Sequence, residues 1–298
     1  YEDLSQQVVG STSAGQPIYD FVRGEDNFML TNANTAGEGL AMSWIAKQDY
    51  DWGLDWSVGY AYSENTDVSP MNSSVAGSNF GNLSLYNLVA PLPATSDYLS
   101  PHRFTARVSY GREFIPGHET RITGMFYRKK GQPQSYVMSS GDLEGDGFFG
   151  RHLMYVPTAN DPNVVIGPDF DLAAYSAFIA DQGYEQFAGG FVPRNESFAS
   201  WSSRLDLRID QELPLMFGTR ARAYLKIYNV LNMLNDEWGV QYDNEFFAQE
   251  VLTTSIDDQG RYVFEEFDYR SITDLRETAS LYAWVFSSNS RKQAGLQD

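Results

Sequence analysis

The sequence predicts an all-β chain, an antiparallel up-and-down sheet of the kind that spans a membrane as a transmembrane β-barrel. Three observations predict it: runs of strict two-residue alternation, the length of those runs, and connections that alternate between short and long. Successive side chains of a strand point to opposite faces, so each alternating run has one apolar and one polar face.

The runs follow in order. Leu40–Lys47 is a noisy first one. In Leu54–Tyr62 the even positions are large and apolar, with Trp56, Val58, Tyr60 and Tyr62 among them. Phe104, Ala106, Val108, Tyr110 and Phe114 share a face that opposes Arg103, Thr105, Arg107, Ser109 and Glu113. Thr120–Tyr127 is shorter. Leu205, Leu207, Ile209 and Leu213 oppose Arg204, Asp206, Arg208, Asp210 and Glu212. Ala221, Ala223, Leu225, Ile227 and Leu231 oppose Arg220, Arg222, Tyr224, Lys226 and Tyr228. Trp238–Thr254, Arg261–Asp268 and Ala279–Phe286 complete the set, roughly ten strand candidates. Several exceed the ~5–6 residues usual in globular sheets. A tilted strand needs ~9–11 to cross hydrocarbon.

The connections Asp49–Gly53, Pro116–Glu119, Pro214–Thr219 and Asp257–Gly260 are tight, and Asn232–Glu237 is looser. Asn65–Pro101 and Gly141–Ser200 are long. A membrane barrel puts short turns on one side and long loops on the other, whereas a Greek-key sandwich has no reason to alternate. Within the longest loop, Leu172, Tyr175, Phe178 and Ile179 predict a short helix inside Asp169–Phe187.

Composition narrows the classes. Among 298 residues, 19 Tyr, 19 Phe and 6 Trp make up 15%, yet hydrophobic residues reach only 42%. Mean hydropathy is -0.39. No run approaches the ~20 apolar residues of a transmembrane helix. The net charge of -18, with 39 acidic against 21 basic residues, argues against nucleic-acid binding. The chain has no cysteine, hence no disulfide, thiolate metal site or Cys nucleophile. Tyr1-Glu2-Asp3-Leu4-Ser5 is not a signal peptide, and an internal fragment is the reading favoured over a cytosolic protein.

Several segments resemble Oar-like TonB-dependent receptors of the outer membrane. They are Gly15-Gln16-Pro17-Ile18-Tyr19, Leu153-Met154-Tyr155-Val156-Pro157, and Gly190-Phe191-Val192-Pro193-Arg194-Asn195 followed by Trp201 and Arg204–Ile209. Tyr228-Asn229-Val230-Leu231-Asn232-Met233-Leu234-Asn235 with Trp238-Gly239 is another. They occur in the family's order and cover the chain from about Gly15 to Arg270. The resemblance implies a barrel of about 22 strands closed by an N-terminal plug, of which this chain supplies about half. It also implies a cell outer membrane location, contact with the lipid bilayer, and coupling to TonB, whose contact segment and plug lie outside this chain. Residues 1–286 are assigned to the C-terminal part of the barrel. The polar residues 287–298 form an atypical tail where such barrels end in an aromatic strand.

Candidate sites follow. Asp142, Glu144 and Asp146 carry oxygen ligands at alternate positions before Gly147, spacing that suits a Ca²⁺-wrapping turn. Leu153 stands where an EF-hand has its last acid, so a solvated acidic turn is the other reading. Trp44, Trp56, Tyr60, Tyr62, Phe104, Tyr110 and Phe114 read as a lipid-facing wall with interfacial rings, against a sandwich core. Arg204, Arg208, Arg220, Arg222 and Lys226, interleaved with Asp206 and Asp210, read as a self-satisfying charge ladder, against a lumen that contacts the plug or steers an anion.

Catalysis has little support. His102, His118 and His152 make no metal spacing, and no nucleophile elbow or phosphate loop occurs. Glu265 and Glu266, adjacent on a strand, point to opposite faces and cannot serve one glycosidic bond. The sequence thus points to a receptor or transporter that binds an extracellular solute through Asn65–Pro101 and Gly141–Ser200. A surface adhesin and a soluble all-β carbohydrate-binding domain are the rivals.

Overall fold

The computed structural model describes residues 2–4, 6–20, 27–139, 141–214, 220–242, 248–269, 274–275 and 280–288. Most of them lie in strands. The largest sheet, called the wall below, contains β1 (Gly39–Asp49), β2 (Leu54–Asp67), β3 (His102–Ile115), β4 (His118–Lys129), β5 (Ser202–Pro214), β6 (Arg220–Tyr228) and β7 (Ser280–Ser288). These strands lie side by side in chain order, each antiparallel to the next. A two-residue strand, Ala94–Thr95, pairs with the end of β2. The sheet is open: among the described residues β1 and β7 are its two edges and do not pair with each other.

The register continues one pattern across the wall. Ala46 faces Val58, which faces Ala106, then Phe126 and Leu205. The next rung aligns Trp56, Val108, Gly124, Leu207 and Ile227. The alternating runs therefore add up to a single apolar face. β2 and β3 have 14 residues each, β4 has 12 and β5 has 13.

Among the described residues, the short connections 50–53 and 116–117 lie at one end, where Pro214 and Arg220 also pair. The long ones lie at the other end: 68–101, 130–201 and the described residues that follow β6 up to 269. Two turn glycines have a positive φ. Gly53, at φ 98°, accepts a bond from Gly111 N at 2.9 Å, and a side chain on it would strike the Gly111 carbonyl. Gly117, at φ 75°, faces open space. Gly117→Ala is expected to cost about 1 kcal/mol, the strain of a left-handed residue. Gly53→Ala adds a backbone clash and is expected to cost roughly twice that or more. Urea unfolding of the two variants side by side measures the difference.

The long connections fold together into a second layer, the cap. Its sheet runs in the order His152–Leu153, Tyr136–Ser139, Gln249–Ile256, Tyr262–Phe267, Val164–Ile166. Two of its pairings are parallel, Tyr136–Ser139 with Gln249–Ile256 and Val164–Ile166 with Tyr262–Phe267. The predicted helix is present as α1 (Leu172–Gln182). Asp171 caps its start by accepting from Ala174 N, and Gly183 ends it in the left-handed conformation. Tyr175, Phe178 and Ile179 are buried as the periodicity predicts, but Leu172 is exposed.

Four expectations are corrected. Gln249–Ile256 and Tyr262–Phe267 belong to the cap, so the turn Asp257–Gly260 lies at the long-loop end and these two runs do not add strands to the wall. β6 ends at Tyr228 rather than Leu231. Asn229, at φ 53°, turns the chain into a short helix, Val230–Leu234, and its N–H donates to Asp206 Oδ1 at 3.0 Å. Ser287 and Ser288, assigned to the polar tail, continue β7; the rest of that tail lies outside the described residues. Glu265 falls at a register shift opposite Thr253 and Thr254, so strict alternation does not hold there.

Among the described residues, both clusters of buried apolar side chains lie outside the wall. The larger includes Tyr136, Met138, Tyr155, Tyr175, Phe178, Leu252, Tyr262 and Phe264. The smaller gathers Tyr19, Phe80, Leu83, Leu85 and Leu88. No described wall residue belongs to either cluster.

Candidate functional site

The wall's two faces differ in an unusual direction. Its apolar face is open: Trp44 is 55% exposed, Val108 51%, Phe104 41% and Ile122 42%. Its polar face is the more covered, with Ser109 at 0%, Asp206 at 6% and Thr123 and Asp210 at 8%. Burying apolar surface contributes ~25 cal/mol per Å², so a water-soluble sheet hides its apolar face. The register puts Trp44, Trp56, Tyr60, Tyr62, Phe104 and Tyr110 on the apolar side. Phe114, beside a bulge, is 65% exposed.

The rings gather at two levels. Towards the long-loop end, Trp44 stacks on Tyr60 at 5.5 Å, Tyr60 meets Phe104 at 4.6 Å, and His102 stacks on Trp201 at 5.9 Å. Arg128 lies over the Trp201 ring at 5.2 Å. Towards the short-turn end, Trp52 lies between Tyr50 and Tyr110 at 5.6 and 6.0 Å. Both Trp201 and Trp52 stand outside the alternating runs, so the periodicity does not mark either as a wall residue; Trp201 enters the sequence reading only through the resemblance.

Charges on the polar face satisfy one another. Arg204 bonds Asp206 at 2.8 Å, Arg208 bonds Asp210 at 2.6 Å and Arg222 bonds Glu212 at 2.9 Å. Asp55 pairs with both Arg107 and Arg121. Arg208 also covers the Tyr224 ring, and Lys226 the Tyr228 ring. The Arg220 side chain lies outside the described residues. The ladder runs along strands as well as across them, since residues two apart share a face.

The three carboxylates of the acidic turn have separate surroundings. Asp142 is exposed and accepts from Asp146 N and Gly147 N at 2.8 and 2.9 Å. Glu144 and Asp146 are buried, at 2% and 0% exposure. Glu144 accepts from Gln16 Nε2 and stands 2.9 Å from His152 Nδ1. Asp146 faces Arg151 at 3.5 Å. The three carboxylates thus turn to three different partners. Among the described residues no group of three or more His, Cys, Asp or Glu is placed to hold a metal.

This network joins parts of the chain that are far apart. Gln16 Oε1 accepts from Tyr262, whose hydroxyl also contacts Thr12 at 3.2 Å. Arg151 donates to the Phe80 carbonyl at 3.0 Å and lies between the Phe80 and Phe148 rings. Leu143 N donates to His152 Nε2 at 3.2 Å, so the proton of a neutral ring sits on Nδ1, the nitrogen nearer Glu144. His118, by contrast, opens β4, and His102 Nδ1 meets Tyr60 OH at 2.8 Å. The three histidines are not brought together.

Burial pushes the carboxyls of Glu144 and Asp146 upward, with His152 and Arg151 offsetting part of the effect. A carboxyl raised by folding stabilises the native state below its unfolded value, and that contribution is lost as pH climbs through the raised native value. Glu144→Gln keeps an acceptor for Gln16 and His152 and removes one buried charge. Melting curves are expected to show the variant gaining on the parent by a few degrees as pH climbs above the ordinary carboxylate range. A gap that stays constant with pH would show that burial does not strain this carboxyl.

No protein-family model matches the chain, and neither a curated protein nor a solved structure matches it. Among the described residues no helix is long and apolar enough to cross a membrane, which says nothing of strands.

Proposed function

We propose that the chain is the C-terminal part of an outer-membrane β-barrel of the TonB-dependent receptor kind, which binds a solute through its outer loops and admits it through a plugged lumen. The inverted wall carries this reading: a continuous apolar face open to the surroundings, backed by a polar face of paired charges. Such a face is at home against acyl chains, and its reverse against a wet or plugged lumen. The spacing of the rings supports it. Phe104 and Phe114 are ten residues apart on β3, about 34 Å along the strand. At the ~40° tilt usual in such barrels this is about 26 Å of height, close to the ~25 Å apolar band. The cap, gathered at one end, is then the extracellular ligand-binding part. An N-terminal plug and TonB are the partners this reading requires.

The test is depth-dependent quenching of tryptophan by brominated lipids, with the full-length protein in vesicles and Trp44 or Trp56 retained singly. Strong quenching from the acyl region is expected. A protein that stays dissolved without detergent, its tryptophans untouched by lipid, would sink the barrel. Growth on candidate nutrients with residues 68–101 deleted separates import from adhesion.

A further inference from the structure

A cavity of about 390 Å³ opens where the cap meets the end of the wall. Its lining is mainly apolar, with Leu85, Leu92, Pro93 and Leu153 among the contributors. Tyr86 and Phe191 also line it, their rings 4.9 Å apart. Arg194 is the one charged residue among those that line it.

Arg194 is 4% exposed. Its Nη2 donates to Asp67 O at 2.7 Å and to Asp67 Oδ1 at 2.9 Å, which ties it to the last residue of β2. Its Nε and Nη1 are buried and have no hydrogen-bond partner among the described residues. Leaving N–H groups of a buried cation without acceptors is costly. The neighbouring tie does not need them: Asn195 joins the same loops by donating to Thr95 O at 2.8 Å and Asp97 Oδ1 at 2.6 Å. A guanidinium with spare donors beside an apolar cavity is a common arrangement for an anionic oxygen carried on an apolar body.

We propose that this cavity binds a small apolar carboxylate, with its carboxylate meeting Arg194 and its body lying against Tyr86, Phe191 and Leu92. One guanidinium, already shared with Asp67, suits a singly charged group. A phosphate would call for further cations, and no other charged residue lines the cavity. The volume, near the low end of the ~300–1,000 Å³ usual for ligand sites, suits a body of about one ring. That this occupant is the imported solute rests on the barrel reading; the binding itself does not.

The experiment is calorimetric titration of the full-length protein in detergent with phenylacetate, phenethyl alcohol and inorganic phosphate. Phenylacetate is expected to bind, the uncharged alcohol at least tenfold more weakly, and phosphate not at all. Ala90→Trp fills the cavity from an exposed lining position without touching Arg194, and is expected to abolish binding. Arg194→Gln is expected to remove the preference for the carboxylate. Equal binding of acid and alcohol, tighter binding of phosphate, binding that survives Ala90→Trp, or no binding would each overturn the proposal. Lipid quenching of Trp44 in the same preparation keeps the two readings apart. Quenching without phenylacetate binding discards the cavity alone, and binding without quenching discards the barrel alone.

Discussion

Leu207→Arg is expected, on the barrel reading, to destabilise the wall by about 2–4 kcal/mol in lipid, the cost of a cation near the middle of a strand that faces acyl chains. Leu207 sits midway along β5, between Gly124 and Ile227. The control is Met125→Lys. Met125 faces Asp206 across the strands on the polar side, where a new cation meets an acid and water. Its cost is expected to stay below about 1 kcal/mol. Reversible unfolding from lipid into denaturant, followed by tryptophan emission, measures both. If the lysine proved the more damaging, the faces would have been assigned the wrong way round.

Phe264→Ala is expected to cost the cap about 3–5 kcal/mol. Phe264 is 0% exposed and packs against Phe170 and Tyr175 at 5.5 and 5.7 Å. The loss should stay local, because no described wall residue joins the cluster it belongs to. Hydrogen exchange reads this directly. Amides of Met138 and Leu252 are expected to lose protection while that of Leu207 keeps it. Equal loss at all three would show that wall and cap unfold as one unit.

The wall was legible in the sequence because one rule governs it. Alternation marks a strand's faces, and a tight turn such as Pro116–Glu119 marks two runs as hairpin neighbours, so Arg103–Phe114 and Thr120–Tyr127 read as adjacent strands, which they are. The same rule misled at Arg261–Asp268. Tyr262 and Phe264 alternate as a wall strand does, yet they are buried against α1 and Tyr155. Alternation identifies an apolar face and says nothing of what covers it. Strands as short as Val164–Ile166, paired in parallel with a partner far along the chain, leave no periodic trace. The carboxylate turn was found, but its meaning was not. Its partners Gln16 and Tyr262 are 128 residues before Glu144 and 246 residues after Gln16 respectively, distances that no local pattern reports. The nearest available hint was Arg151-His152, a cation and an imidazole a few residues beyond the acids.

Among the described residues the wall is bordered on each side by a strand that bonds to a single neighbour, β1 to β2 and β7 to β6. In water such a border is tolerable. In hydrocarbon every amide left without a mate costs several kcal/mol, so a sheet with two raw margins cannot settle among acyl chains. On the barrel reading, insertion must therefore wait until further strands seal both margins. The segment alone would stick to itself edge to edge rather than enter a bilayer.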